Sequence, residues 1–492
     1  MTRSQLSQRG DAGGGRSRQG ETEIRRWLIG AVVCVVLSAS WSVCSAAVLT
    51  VGDHGTYSTI QAAISTALGA SSTEIRVEQG TYLENIYIGS AFVSEYLEIT
   101  GGWNATFSAR SSDASLTVID GSQLINPVVS IGSAGASVRV DGFTVTNGTG
   151  SVAGGFQVRP SGDGEVTVSN NRIIGNTASA ATIPGGGGVG FRQTSGGGRF
   201  YLLDNLISGN TVENTGGASS SGGGVELYAH DASSFVAVGN LITDNTCVAP
   251  LDTVFGCGAS LYHDSTGNSS FSANTVKGNR SVTAAGTDVH GAGGSLSVGP
   301  NGNILSARGN LWIDNRDMGS QEGTHVQITT NGTGTLIASD SVVAGGPDIG
   351  VGAWSYDTST LRFTNLTVFD HADMGVFFTA YGAESTLYNT IVFGSTTLTD
   401  FNGTAVSTGG NLLGIDPLFV SPASWDCHLR SGSPALDRGD NSPPGGLGPT
   451  DADGNPRIID GTVDIGAYEG VATLFDDGFE SGDTSGWSVV VP

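Results

Sequence analysis

The sequence predicts an all-β fold, a right-handed parallel β-helix with a short N-terminal capping helix. Three observations predict it. The first is a pair of asparagines five positions apart that recurs as Asn171/Asn176, Asn205/Asn210, Asn240/Asn245, Asn274/Asn279 and Asn310/Asn315, with starts 34, 35, 34 and 36 residues apart. The second is what lies between them: two or three short alternating strands per unit, punctuated by glycine, with no room for a helix. The third is physical, since a unit of this kind cannot bury its own apolar face and must stack on its neighbours. Coiling strand upon strand gives parallel sheets about 4.8 Å apart per turn, with inward side chains in continuous aliphatic columns. A propeller blade would need a repeat of roughly 40–50 residues. Here the looser copies that begin at Asp141, Asp340, Asn365 and Asn389 shorten instead to spacings of 24–30. Asparagine suits the corners because it tolerates left-handed backbone, and its amide can bond to the same corner one coil away.

The elements follow in order. Residues 1–47 read as a polar extension plus a secretory signal peptide: Arg25-Arg26 precede an apolar stretch from Trp27 to Ser40, and small residues allow cleavage after Ala46 or Ala47. That apolar core is shorter than the ~20 residues a spanning helix needs, and no second such run follows. The mature chain is therefore expected to carry no transmembrane helix and to be secreted or displayed on the cell surface. A strand at Val48 to Val51 comes next. Ser58-Thr59-Ile60-Gln61 then has the spacing of a capping box, and Ile60, Ala63, Ile64, Ala67 and Leu68 share one helical face. One short amphipathic helix there would cover the open end of the column. Coils occupy residues 48–410, with glycine clusters ahead of alternating strands, as in Gly224-Val225-Glu226-Leu227-Tyr228 and Gly258-Ala259-Ser260-Leu261-Tyr262.

Charge narrows the partners. The chain holds 21 Lys and Arg against 45 Asp and Glu, a net charge of −24. Without residues 1–47, which contain six Arg and three acidic residues, 15 basic face 42 acidic side chains, a net −27. Such a surface repels nucleic acid and anionic lipid, and an anionic polysaccharide would need bridging cations. An extracellular glycan or a cell-surface protein is the expected partner. Three cysteines follow the leader. In an oxidising compartment Cys247 and Cys257 could bridge across a short loop or stay as two buried thiols, and Cys427 has no obvious partner.

The opening strand and helix resemble the N-terminal start of the pectin-lyase-like superfamily. The resemblance covers roughly residues 48–415 and implies a fold, not an activity. After residue 410 the pattern changes to Asp416-Pro417-Leu418-Phe419, His428-Leu429, Ser433-Pro434-Ala435-Leu436-Asp437-Arg438-Gly439, Asp453-Gly454-Asn455-Pro456-Arg457 and Val463-Asp464-Ile465-Gly466-Ala467-Tyr468-Glu469. This series resembles the closing module of the choice-of-anchor Q β-helix proteins, a bacterial secreted family. What the resemblance implies is a distal cap over residues 411–470 followed by an interchangeable sorting tail, here the acidic residues 471–492, and no enzymatic reaction. The Pro443-Pro444-Gly445-Gly446 insertion departs from the family pattern. Prolines at 417, 434 and 456 lack backbone donors and stop strand addition, and Asp437, Asp464 and Arg457 are expected to form an ion-pair cluster that fixes the cap.

A candidate site follows from the repeat. Residues 177–186, 211–221, 246–256 and 281–291 are insertions of similar length at one position in four successive coils, so stacking should line them up as a ridge. Outward positions of the strand that follows align as Arg192, Tyr228, Tyr262 and Ser297, with Gly190, Glu226, Ser260 and Ser295 one step before. His230, Asp231, His263 and Asp264 should lie just past the strand ends. Aromatic faces beside carboxylates and imidazoles suit sugar stacking and hydroxyl hydrogen bonds. The candidate binding residues are therefore Arg192, Glu226, Tyr228, Tyr262, His263 and Asp264, against the plainer reading of a solvated face whose tyrosines pack on loops. No catalytic residue is named. Asp288-Val289-His290-Gly291 stands alone, and no paired acids or acidic cluster beside an Arg or Lys base is visible along the chain. No cofactor is expected. Calcium is the one ion left open, because Asp451-Ala452-Asp453-Gly454-Asn455 begins like a calcium loop; lacking the distal Glu, it reads better as an Asx-type turn. The expected function is a non-catalytic, exported β-helix that binds glycan or protein along one face. The alternatives are a polysaccharide lyase or glycoside hydrolase, and a structural adhesin rod.

Overall fold

A computed structural model describes residues 47–470, apart from short stretches at 69–71, 90–95, 123–124, 133–134, 183, 194, 285–287, 319–322, 347–348, 383 and 404–405. The expected signal peptide and the C-terminal tail lie outside the described residues. The described chain is an all-β parallel solenoid. Each coil contributes one strand to each of three long parallel sheets: a front sheet of 11 strands, a back sheet of 13 and a side sheet of 12. One coil runs Val225–Asp231 in front, Ser234–Val238 at the back and Leu241–Thr243 at the side. A six-stranded shoulder and a three-stranded ridge are added where the inserted segments stack. Among the described residues no helix is long and apolar enough to cross a membrane.

The interior is what alternation dictates. Val166, Phe200 and Phe235 follow one another at one back-sheet register, and Val168, Leu202, Ala237 and Phe271 at the next inward one. Large and small side chains compensate along these columns: Phe271 sits between Ala237 and Ala307, and the Trp312 ring fills the space that a side chain at Gly294 would need. Each fully buried Phe adds roughly 2–3 kcal/mol of apolar burial. The inward columns are continuous, so the core is one cluster from Val51 to Val392.

Asparagine does hold the corners, but through its side chain rather than its backbone. Left-handed φ angles fall on the residue just before each ladder asparagine: Asn170, Asp204, Gly239, Ala273 and Gly309 in one series, Gly175, Gly209, Asp244, Gly278 and Asp314 in the other. The asparagine that follows donates its amide to the next coil's asparagine carbonyl, as from Asn205 Nδ2 to Asn240 Oδ1 at 3.0 Å, while that same oxygen also accepts from the Asn205 backbone N–H at 3.1 Å. Two ladders run this way through the coils. One ends on the Ser341 hydroxyl, 3.0 Å from the Asn310 N–H. The other ends on His325, whose Nε2 faces Asn315 Nδ2 at 2.7 Å. Burial lowers the His325 pKa, so the ring is neutral and Nε2 accepts. Three of the looser copies are therefore shifted by one position, Asp340, Asn365 and Asn389 being the left-handed residues themselves, whereas Asp141 is a strand end two positions before the ladder place.

The N-terminal helix spans Ile60–Ala67 and buries Ile60, Ala63, Ile64 and Ala67 over the first coil. Its cap is Thr59, whose hydroxyl accepts from the Ala62 N–H at 3.2 Å, while the Glu84 carboxylate takes the Ile60 and Gln61 N–H groups at 2.7 and 3.0 Å. Leu68 follows the helix and is 48% exposed, outside the expected apolar face.

The closing segment is irregular. A short antiparallel pair, Phe419–Ser421 with Asp426–Leu429, leads into turns packed on the last coils. Here the expected ion cluster is corrected. Arg457 is buried and meets the side chains of Glu469 at 3.2 Å and Asp340 at 3.6 Å. Its other hydrogen bonds go to the carbonyls of Asp464, Gly466 and Ala467. Asp464 instead uses its carboxylate on the Asp437 and Gly470 N–H groups. The Pro443–Gly446 insertion lies against the back sheet, where Gly445 abuts Arg362.

Candidate functional site

The four insertions stack as the repeat requires. Thr177–Ala180, Thr211–Asn214, Thr246–Ala249 and Arg280–Thr283 pair in register in the shoulder, and Ser220–Ser221, Val254–Phe255 and Val289–His290 pair in the ridge. Beneath them a satellite core holds Val212, Cys247, Ala249, Val254 and Cys257. Cys247 and Cys257 lie there together as buried free thiols, and burial pushes the Cys257 thiol well above its ordinary value. Cys427 is a third buried free thiol, pushed up to about 12 by burial.

The ridge and the front sheet enclose a trough of about 580 Å³. Its floor is the expected row: Arg192, Tyr228, Tyr262 and Ser297 are successive register partners. The two tyrosine rings stack at 4.8 Å and 12°, and the Arg192 guanidinium lies 5.7 Å from the Tyr228 ring. Burial, with Asp264 nearby, raises both phenols above their ordinary value, so both stay protonated donors. Glu226, in the adjacent outward column, is nearly buried and fully engaged. Arg192 Nη2 donates to its two oxygens at 2.8 and 3.0 Å, and the Ser221 hydroxyl donates at 2.8 Å. Gly185 passes so close to this carboxylate that any Cβ there would collide with it.

Two expected residues sit elsewhere. His263 is fully buried and points into the core, where Nδ1 meets Ser269 Oγ at 3.1 Å and the ring packs edge-on to Phe235. Burial lowers it to about 4, so it is a neutral core residue. The reason is strand length. Ala259–Ser265 runs seven residues, so alternation continues through Ala259, Leu261 and His263 on the inner face. Asp264 faces outward beyond the tyrosine row and is capped by the Asn301 N–H at 2.7 Å. The lining also includes Ser219, Ser221 and Phe255 from the ridge, which sequence reasoning missed although they stand in the insertions it had aligned.

Chemically the trough offers flat aromatic surface, two phenol donors and serine hydroxyls around one internally neutralised ion pair. Among the described residues no group of three or more His, Cys, Asp or Glu side chains is placed to hold a metal. At the calcium-like loop, Asp451 Oδ1 accepts from the Asp453 and Asn455 N–H groups at 3.0 and 2.7 Å, and Oδ2 from the Glu469 N–H at 3.0 Å. That is an Asx-type turn with its carboxylate already occupied. No protein-family model, curated protein or solved structure matches this chain.

Proposed function

We propose that this protein is an exported, pectin-lyase-like β-helix, closed by a choice-of-anchor Q type module and displayed outside the cell, that binds a glycan in the front trough without cleaving it. The observation that carries the reading is the Tyr228–Tyr262 stack, held half-buried on a rigid sheet and walled by the ridge. Sugar rings present C–H faces to aromatic rings and hydroxyls to phenol and serine groups, and this floor supplies both. The non-catalytic part rests on Glu226. A general acid is a protonated carboxyl in an apolar setting, whereas Glu226 accepts from Arg192 and Ser221 on a fixed geometry.

The test is an immobilised glycan panel probed with the secreted protein, with reducing-sugar and unsaturated-product assays on the same polymers with and without calcium. Retention is expected, and Tyr262→Ala should weaken it at least about fivefold, the contribution of a stacked ring. Product release that disappears in Glu226→Gln would establish a lyase or hydrolase instead. Retention of proteins or self-association, with no glycan bound, would favour an adhesin rod.

A further inference from the structure

The front sheet does not stop at the trough. Its outward row continues from Tyr262 through Ser297 and Thr329 to Trp354, each the register partner of the last. Three sheet steps separate Tyr262 from Trp354, about 14 Å at the strand spacing. Trp354 meets Phe377 of the next coil at 5.5 Å, and just beyond them Tyr356 and Tyr381 stack at 6.2 Å and 24°. In the other direction the Glu226 column runs back through Gly190, Gln157 and Ser130 to Tyr87. That is four steps, about 19 Å. Tyr87 is 61% exposed at the edge of a second trough of about 730 Å³, lined also by Ile125, Gln157 and Thr177.

Tyr87 and Trp354 share a device. A Cβ at Gly89 would stand 2.6 Å from the Tyr87 ring, and one at Gly352 would stand 2.8 Å from the Trp354 ring. Both glycines lie two residues away on the same strand or at its end, so each ring lies down along the sheet over a bare backbone and offers a face to solvent. A core or loop-packing role would not need that posture. Between Tyr262 and Trp354 the outward residues Ser295, Ser297, Gln327 and Thr329 are all uncharged. Between Tyr87 and Tyr228, Ser130 and Gln157 share the face with three charged groups, of which Arg192 and Glu226 neutralise each other and Arg159 is exposed one coil before Arg192.

From this we infer that the front sheet binds one linear, uncharged polysaccharide lying along the coil axis, seated at three aromatic stations: Tyr87, Tyr228/Tyr262 and Trp354/Phe377. The proposal rests on the glycan reading of the central trough and extends it. The stations span eight sheet steps, about 38 Å. A polymer engages all three, and a short oligomer engages one. Linked stations raise affinity by effective concentration rather than by new contacts. The net charge of −24 sets the class, because a polyanion would be repelled along the whole length.

The experiment is affinity gel electrophoresis of the full-length secreted protein through neutral polymers (xyloglucan, galactomannan, mixed-linkage glucan) and through polygalacturonate, with short oligomers of any retarding polymer measured by calorimetry. Wild type should be retarded by a neutral polymer and not by polygalacturonate. Tyr87→Ala and Trp354→Ala should each weaken polymer binding about five- to tenfold and lower short-oligomer affinity by a clearly smaller factor, because an oligomer can still seat at the other stations. Trp354→Phe should keep most of the polymer binding. Tyr87 is a surface residue, so its variant decides the matter even if Trp354→Ala lowers the melting temperature. Polymer and oligomer binding that are equal, and indifferent to Tyr87 and Trp354 but lost in Tyr262→Ala, would overturn the extended site and leave the central trough standing. Retardation by polygalacturonate alone would overturn the uncharged class. No retardation of wild type by any polymer would overturn both readings.

Discussion

The middle coils and the closing segment solve the same problem by opposite means. Between Asn171 and Asn315 each ladder asparagine except the last of its series is answered by a copy of itself one coil on, as Asn210 Nδ2 is by Asn245 Oδ1 at 2.9 Å. No charge is needed. In the closing segment each partner is unique. Arg457 joins Glu469 and Asp340, His428 sits between Asp426 at 2.5 Å and Asp453 at 2.7 Å on the face of Tyr468, and Asn389 grips the Asp440 backbone at 2.7 and 2.9 Å. Repetition allows neutral hydrogen bonds to satisfy a buried corner. Where repetition ends, charge and shape must be specified residue by residue, and burial is contested: it pushes Glu469 up to about 8 even with Arg457 alongside.

That contrast can be broken at three points. The largest effect is expected from Arg457→Met, which leaves Glu469 buried without its guanidinium, strands the Asp464, Gly466 and Ala467 carbonyls, and leaves Asp340 with Arg308 alone at 3.0 Å. A loss of about 3–5 kcal/mol is expected, seen in chemical denaturation as a closing-segment transition that separates from the main one. A loss below about 1 kcal/mol would mean that the cluster does not hold the cap. Asn245→Ala comes next. It strands the Asn210 amide and N–H and the Ile207 carbonyl, at a cost of about 2–3 kcal/mol with no separate transition, because the whole column shares the damage. A neutral result would show that the ladder follows the fold rather than supporting it. The smallest effect has the opposite sign. Ala273 holds φ 53° where its counterparts in other coils are Asn, Asp or Gly, so Ala273→Gly should raise stability by about 0.5–1 kcal/mol. A decrease would mean that the methyl group's packing outweighs the backbone strain.

Legibility along the chain follows the same division. The asparagine spacing made the coil, its strand content and the stacking of the insertions readable, because each signal was repeated five times. What it did not show was which corner residue carries the left-handed backbone, since Asn, Asp, Gly and Ala all occupy that place and only the geometry is common. Of the six candidate binding residues, Arg192, Glu226, Tyr228 and Tyr262 do come together, because outward alternation places them without further information. His263 was misplaced by assuming that its strand ended early, and continuing the alternation would have turned it inward. Phe255 and Ser221 belong to a ridge whose lean over the sheet depends on packing beneath it, where Val212 and Cys247 lie. The Arg457 partners were unreadable for a different reason: Asp340 comes from a distant coil, and nothing local marks it as the recipient of a charge.

The two ends of the solenoid are stoppered by unrelated devices, a capped helix at one and an irregular turn cluster at the other. Neither stopper senses how many coils lie between them. Loss or duplication of one whole turn, 34–36 residues in the regular region, leaves both junctions chemically unchanged. The reach of such a solenoid is thus adjustable by integers. This is a ruler whose graduations evolution can add or erase without redrawing its ends.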